Sequence, residues 1–181
     1  VYARVHGMPF VSLRLTNCYG PRHQMRNGKY GILNWFMGLA LQEKPIKIFG
    51  TGEQLRDYLY IDDAVEVFVR AADLAEKLRD PKNRTHPSAQ IAGTAFPFAA
   101  FNIGSGHGIP FIDAAREIVK RTKSPLEMVP WPADRKAIET GDFVSDGKTT
   151  KEVLGWEPKV QYSVGLDLTL DFYRKHLGQY L

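Results

Sequence analysis

The 181-residue sequence holds one cysteine, Cys18, which excludes an intrachain disulfide framework and suits a reducing, cytoplasmic setting. No apolar run approaches the roughly 20 residues that span a bilayer. The opening stretch, Val1 to Phe10, lacks the charged-then-apolar build of a signal peptide. No membrane partner is therefore expected. The five histidines, His6, His23, His86, His107 and His176, stand at no metal-ligand spacing to one another or to Cys18. No G-x-S-x-G is present, so a serine-nucleophile elbow is excluded. Basic residues outnumber acidic ones 24 to 20 and are scattered rather than gathered into a patch. That distribution speaks against nucleic acid and suits a small phosphorylated ligand.

Two phosphate motifs also fail on inspection. Gly104-Ser105-Gly106-His107-Gly108 follows a strand pattern and opens a helix pattern, but the last position of G-x-G-x-x-G falls on Ile109. A glycine turn is the better reading. Asp146-Gly147-Lys148-Thr149 ends like a P-loop, yet the required first glycine falls on Asp142. Asp62-Asp63 invites a paired-carboxylate reading, but adjacent side chains diverge. Capping of the following helix is the expectation.

What is present is an ordinary globular composition, 44% hydrophobic and 24% charged, in a length that suits one domain. Residues 10–16 (FVSLRLT) read as a strand with a turn over 17–22. A helix is expected over 30–43, with Ile32, Leu33, Phe36, Leu39 and Ala40 on one stripe. Short strands follow at 46–49 and 59–61. A helix to about Arg79 then offers Val65, Phe68, Val69 and Ala72 as its inner face. Residues 80–98 read as a long, mobile loop insertion. A strand at 99–103, a helix at 110–122, a strand at 126–129, a short helix near 150–154 and a last helix from about Ser163 complete an α/β order.

Four segments carry more information. They are Arg14-Leu15-Thr16-Asn17-Cys18-Tyr19-Gly20-Pro21-Arg22; Ile48-Phe49-Gly50-Thr51-Gly52-Glu53-Gln54-Leu55-Arg56-Asp57 continuing to Tyr60-Ile61-Asp62-Asp63; Phe101-Asn102-Ile103-Gly104-Ser105-Gly106; and Ser145-Asp146 to Lys148 with Leu154-Gly155-Trp156-Glu157-Pro158. In this order they resemble the extended short-chain dehydrogenase/reductases, specifically the NAD-dependent nucleotide-sugar epimerases and dehydratases. The resemblance spans nearly the whole chain. It also exposes a gap: no tyrosine has a lysine four residues on, and no G-x-x-G-x-x-G occurs.

The resemblance implies a Rossmann-type α/β fold. Residues 1–181 would be the C-terminal, substrate-binding portion with its small α/β domain, and the N-terminal NAD-binding half would be absent. NAD would serve the full-length parent and not be bound by this chain alone. The parent would be a 4-epimerase or 4,6-dehydratase, with the isolated chain inactive. A UDP-glucuronate decarboxylase is the alternative, weakened because Lys29 stands where that loop carries Arg. A non-catalytic nucleotide-sugar-binding module or an orphan fragment is a further alternative.

The same resemblance assigns residues. Arg56 would contact the diphosphate, against a plain salt bridge to Asp57. Arg135 would be a second diphosphate arginine, with Lys136 one residue away. Asn17 would bond the nucleotide sugar, against a turn role. Gly50 and Gly52 would let the backbone pass close to the nucleotide. Leu15 and Tyr19 would approach the nicotinamide, against simple core packing. Trp156 reads as an anchor for the last helix. Loss of a neighbouring strand would leave residues 10–16 with an open edge, and self-association is expected.

Overall fold

The computed structural model describes residues 1–80, 82–83 and 98–181. The expected loop insertion at 80–98 falls mostly outside these residues. Seven strands are described: β1 (Phe10–Leu15), β2 (Asn17–Tyr19), β3 (Ile46–Phe49), β4 (Leu55–Tyr60), β5 (Phe98–Ile103), β6 (Gly108–Pro110) and β7 (Leu126–Val129). The helices are α1 (Tyr2–His6), α2 (Ile32–Leu41), α3 (Ile61–Lys77), α4 (Phe111–Thr122), α5 (Ala133–Lys136), α6 (Lys148–Leu154) and α7 (Tyr162–Tyr180).

Pairing is mostly parallel and long-range. β1 runs alongside β5, β2 alongside β4, and β3 alongside β7, while β6 is antiparallel to β4. These ladders form three small sheets, with β4 central in the three-stranded one. The expected turn over 17–22 is thus corrected at its start. Asn17, Cys18 and Tyr19 pair with Tyr58, Leu59 and Tyr60. A tertiary ladder overrides turn composition there.

Two apolar clusters fill the layers. One gathers Phe36 and Met37 of α2, Ile46 and Ile48 of β3, Ile118 of α4, and Leu166, Leu170 and Tyr173 of α7. The other gathers Val67 and Leu74 of α3, Phe101 and Ile103 of β5, and Trp156. Trp156 is fully buried and its indole N–H donates to the Asp63 carbonyl at 3.2 Å. It therefore anchors α3 to the turn before α7.

The inner face of α3 is the reverse of the expectation. Val65, Phe68 and Val69 are 54%, 54% and 58% exposed, while Ala64, Val67, Ala71 and Leu74 are buried. Both stripes have helical spacing. The small Ala64 and Ala71 let the helix axis approach the sheet, which the bulkier stripe would prevent. The capping expectation for Asp62 and Asp63 is also corrected. Tyr60 occupies the N-cap, and no side chain caps α3. Asp63 is buried and its carboxylate accepts the backbone N–H groups of Lys159 (3.1 Å) and Val160 (3.0 Å). Both acids still lie in the first turn, where the helix dipole favours them.

Candidate functional site

The glycine turn after β5 holds an anion supplied by the chain itself. Asp57, fully buried on β4, accepts Ser105 N–H (2.7 Å), Ser105 Oγ–H (2.6 Å), Gly106 N–H (3.2 Å) and Ser145 N–H (3.0 Å). A Cβ at Gly104 would sit 2.3 Å from Asp57 Oδ2. This turn is closed by a carboxylate.

The strand β3 aims its side chains by simple alternation. Ile46 and Ile48 are buried, leaving Lys47 and Phe49 on the opposite face. That face forms one wall of a cavity of about 370 Å³. Trp35 and Phe36 of α2, Phe111, Lys29 and Arg135 also line it. Lys47 reaches Glu127 at 3.8 Å and Arg135 reaches Asp134 at 3.7 Å, both with exposed side chains. Such exposed pairs are worth under about 1 kcal/mol. Gly50 follows β3 with φ +65°, and a Cβ there would lie 2.2 Å from Trp131 Nε1. The absent side chain lets Trp131 pack on Phe49, ring centroids 5.5 Å apart. Gly52 turns with φ +69°, and its carbonyl accepts Ile112 N–H at 2.8 Å, fixing the start of α4.

A second cavity, about 270 Å³, is lined by Thr16, Asn17, Cys18, His23, Tyr30 and Leu33, among others. Ile32 lines both cavities, and residues 27–31 divide between them. Asn17 is exposed, and its Nδ2 donates to the Asp57 carbonyl at 3.2 Å. The Thr16 hydroxyl is buried and has no hydrogen-bond partner among the described residues. Burial pushes the Cys18 thiol up to about 11, with the Asp57 charge adding to it.

The residues singled out from sequence thus divide. Arg135 lines the aromatic cavity and Asn17 the neighbouring one. Gly50 and Gly52 shape the turn beside the first. Arg56 lines neither. Its guanidinium pairs with Glu139 and donates to the carbonyls of Leu55 and Gly141. Tyr19 lies in the core, 2% exposed, its hydroxyl donating to the Tyr162 carbonyl at 3.1 Å. Burial raises that hydroxyl's pKa well above its ordinary value. Leu15 is partly exposed at the end of β1. Tyr19 is thus enclosed, and the glycine turn is filled by Asp57. Lys47, Phe49, Trp35 and Glu139 were not singled out from sequence. The alternation in Ile46-Lys47-Ile48-Phe49 was a usable signal for the first two.

Comparisons with known proteins agree on one relationship. Residues 1–84 match the model for the NAD dependent epimerase/dehydratase family. UDP-glucuronic acid decarboxylase 1 of Xenopus tropicalis is 29% identical over 176 residues, 97% of this chain and 36% of that protein. UDP-glucose 4-epimerase of Mycolicibacterium smegmatis is 28% identical over 174 residues, 96% of this chain and 48% of that protein. The crystal structure of UDP-glucose 4-epimerase with UDP-glucose from Thermotoga maritima superimposes with a TM-score of 0.75 at 29% identity, covering 97% of this chain and 49% of that one. The Thermus thermophilus UDP-glucose 4-epimerase complex with NAD shares the fold, with a TM-score of 0.70 at 24% identity over 96% of this chain and 49% of that one. The chain spans less than half the length of these relatives. Its fold is that of the Rossmann-type epimerases and dehydratases.

Proposed function

We propose, for a chain whose first 84 residues match the model for the NAD dependent epimerase/dehydratase family, that it binds a nucleoside-diphosphate sugar. It would be the substrate-holding part of an NAD-dependent nucleotide-sugar 4-epimerase or 4,6-dehydratase. The observation that carries this reading is one cavity where Lys29, Lys47 and Arg135 meet Phe49, Trp35 and Phe111. A nucleoside diphosphate has a flat apolar base and two phosphates. Aromatic faces suit the first and a cluster of cations the second. In this reading the base lies against the rings, the phosphates face the three cations, and the sugar extends toward Asn17. Gly50 and Gly52 keep the 50–52 turn low beside the nucleotide.

NAD, in the whole enzyme, would accept and return the sugar's hydride. Of the residues here, Leu15 is the one offered to it. We assign residues 1–181 to one substrate-binding part that holds ligand but turns nothing over alone, since the sequence lacks the Tyr-x-x-x-Lys pair. Detectable 4-epimerase turnover by the pure chain would overturn that assignment. No helix among the described residues is long and apolar enough to cross a membrane. Nucleic acid finds no basic patch in the sequence, and the single cysteine suits the cytoplasm, where we place the protein. Phe10 and Leu15 are partly exposed on β1, which pairs only with β5 among the described strands. Such an edge recruits another chain. We therefore expect self-association, and a monomer in sedimentation at micromolar concentration would contradict it.

The binding test is thermal unfolding with UDP, dTDP, CDP, GDP and NAD⁺. A ligand at 100 times its Kd adds about 2.7 kcal/mol. Stabilisation by one nucleoside diphosphate, lost in Arg135→Ala and Lys29→Ala, is the expected result. No stabilisation by any of the four would refute the reading.

A further inference from the structure

Residues 24–30 run between the two cavities, and one side chain holds them in shape. Gln24 Oε1 accepts the backbone N–H groups of Arg26 and Asn27, both at 2.9 Å. Its Nε2 donates to the carbonyls of Asn27 (2.8 Å) and Tyr30. The two acceptor sites and two donor sites of this amide are thus all spent on its own loop. Asn27 adds a second layer: its Oδ1 accepts Lys29 N–H at 2.9 Å, and its carbonyl accepts Tyr30 N–H at 3.2 Å. Beneath the loop, Met25 is buried against Gly38, and Gly28 lies on the Trp35 ring, where a Cβ would come within 2.7 Å. Arg26, Asn27, Lys29 and Tyr30 are exposed, so apolar burial does little to fix them.

From this arrangement we infer that Gln24 is a positioning residue: it folds residues 24–30 around its amide and so presents Lys29 to the aromatic cavity and Tyr30 to the neighbouring one. The inference rests on the nucleotide-binding reading for its consequence. In that reading the phosphates lie on the Lys29 side and the sugar on the Tyr30 side, so the fold of this loop sets the spacing between them. A loop ordered before the ligand arrives has less conformational entropy to lose on binding. An unpinned stretch of exposed residues would have to be ordered by the ligand itself, and affinity would fall.

The distinguishing variant is Gln24→Met, which keeps the straight-chain shape and removes all four hydrogen bonds. Amide hydrogen exchange on the full chain without ligand comes first. Exchange at Arg26 and Asn27, the two amides that Gln24 accepts, should rise about tenfold. Unchanged exchange at both would overturn the inference, because the loop would then hold its shape without Gln24.

Affinity for whichever of UDP, dTDP, CDP and GDP binds best is then measured calorimetrically, at a temperature where every variant is folded. Gln24→Met should weaken binding about tenfold. Lys29→Gln supplies the second arm of a double-mutant cycle. These probes carry phosphates and no sugar, so Gln24 acts on them through Lys29. The double variant should therefore bind no more weakly than Lys29→Gln alone, which a general loosening of the fold would not produce. Fully additive losses would overturn the positioning role, as would unchanged binding by Gln24→Met while the parent chain binds. If the parent chain binds none of the four, the nucleotide reading falls and the positioning role falls with it.

Discussion

Replacing Asp57 by Asn changes no volume and removes one charge, so it isolates the worth of the internal anion. The carboxylate accepts four hydrogen bonds, two at each oxygen. An asparagine can keep Ser105 on its oxygen. Its NH₂ must then face the N–H groups of Gly106 and Ser145, donor against donor. Each hydrogen bond to a charged group is worth about 1.5–3 kcal/mol. Two lost bonds amount to roughly 3–6 kcal/mol, less the desolvation that a neutral amide escapes. We expect a net loss of about 3 kcal/mol. For a chain of this size that lowers Tm by about 6–12 °C and the urea midpoint by about 1–3 M. Circular dichroism under both perturbations reads it directly. Ser105→Ala, which removes the hydroxyl bond to Asp57 and the bond that this oxygen accepts from His107 N–H, should cost less than Asp57→Asn. A loss below about 1 kcal/mol in Asp57→Asn would refute the view that this carboxylate organises the glycine turn.

Four further outcomes follow from other sites. Gly50→Ala forces a side chain at φ +65° into Trp131; it should cost about 1–3 kcal/mol in thermal unfolding and weaken nucleoside-diphosphate binding. Tyr58→Phe removes a buried hydroxyl without a partner among the described residues; stability should hold or rise by up to about 1 kcal/mol in urea titration, and a loss would contradict the orphan assignment. Cys18, its thiol pushed up to about 11, should alkylate with iodoacetamide far more slowly in the native than in the denatured chain, and the native rate should stay low between pH 7 and 9. Arg121 holds the Asp167 carboxyl below its ordinary value of 3.8, so this pair's stabilisation is present above that value and fades as pH falls through the lower, folded-state one. Asp167→Asn should remove that acid-sensitive component, and equal acid midpoints for the two proteins would count against it.

Local rules carried most of the elements. The stripe Leu166, Leu170, Tyr173 at helical spacing is the buried face of α7. The alternating Ile46 and Ile48 mark the inner side of β3. Reading failed where two patterns competed or where a partner lay far along the chain. On α3, two apolar stripes share the same period, and only the bulk of Phe68 against the smallness of Ala64 and Ala71 separates them. At Asn17 to Tyr19, turn composition concealed a strand whose partner sits at Tyr58 to Tyr60. The motif positions Arg135 and Asn17 line the two cavities. The pairing of Arg56 with Glu139 was not legible, because Glu139 lies in a polar stretch with no periodicity. Tyr19 reads equally as a ring beside a cofactor or a ring in a core, and it packs against Tyr60 and Tyr162.

The parallel ladders also constrain how this chain can fold. Phe10 meets Phe98, Ile46 meets Leu126, and Asn17 meets Tyr58. None of these three pairs is a hairpin, so each requires closure of a long loop before any ladder bond rewards it. High contact order of this kind slows folding to milliseconds or longer. On a ribosome the consequence is sharper. β1 and β3 emerge long before β5 and β7, and their apolar edges must wait unpaired while the rest is made. Among the described helices, α2 and α3 are complete before β5 emerges, and α3 packs against β1 in the finished fold.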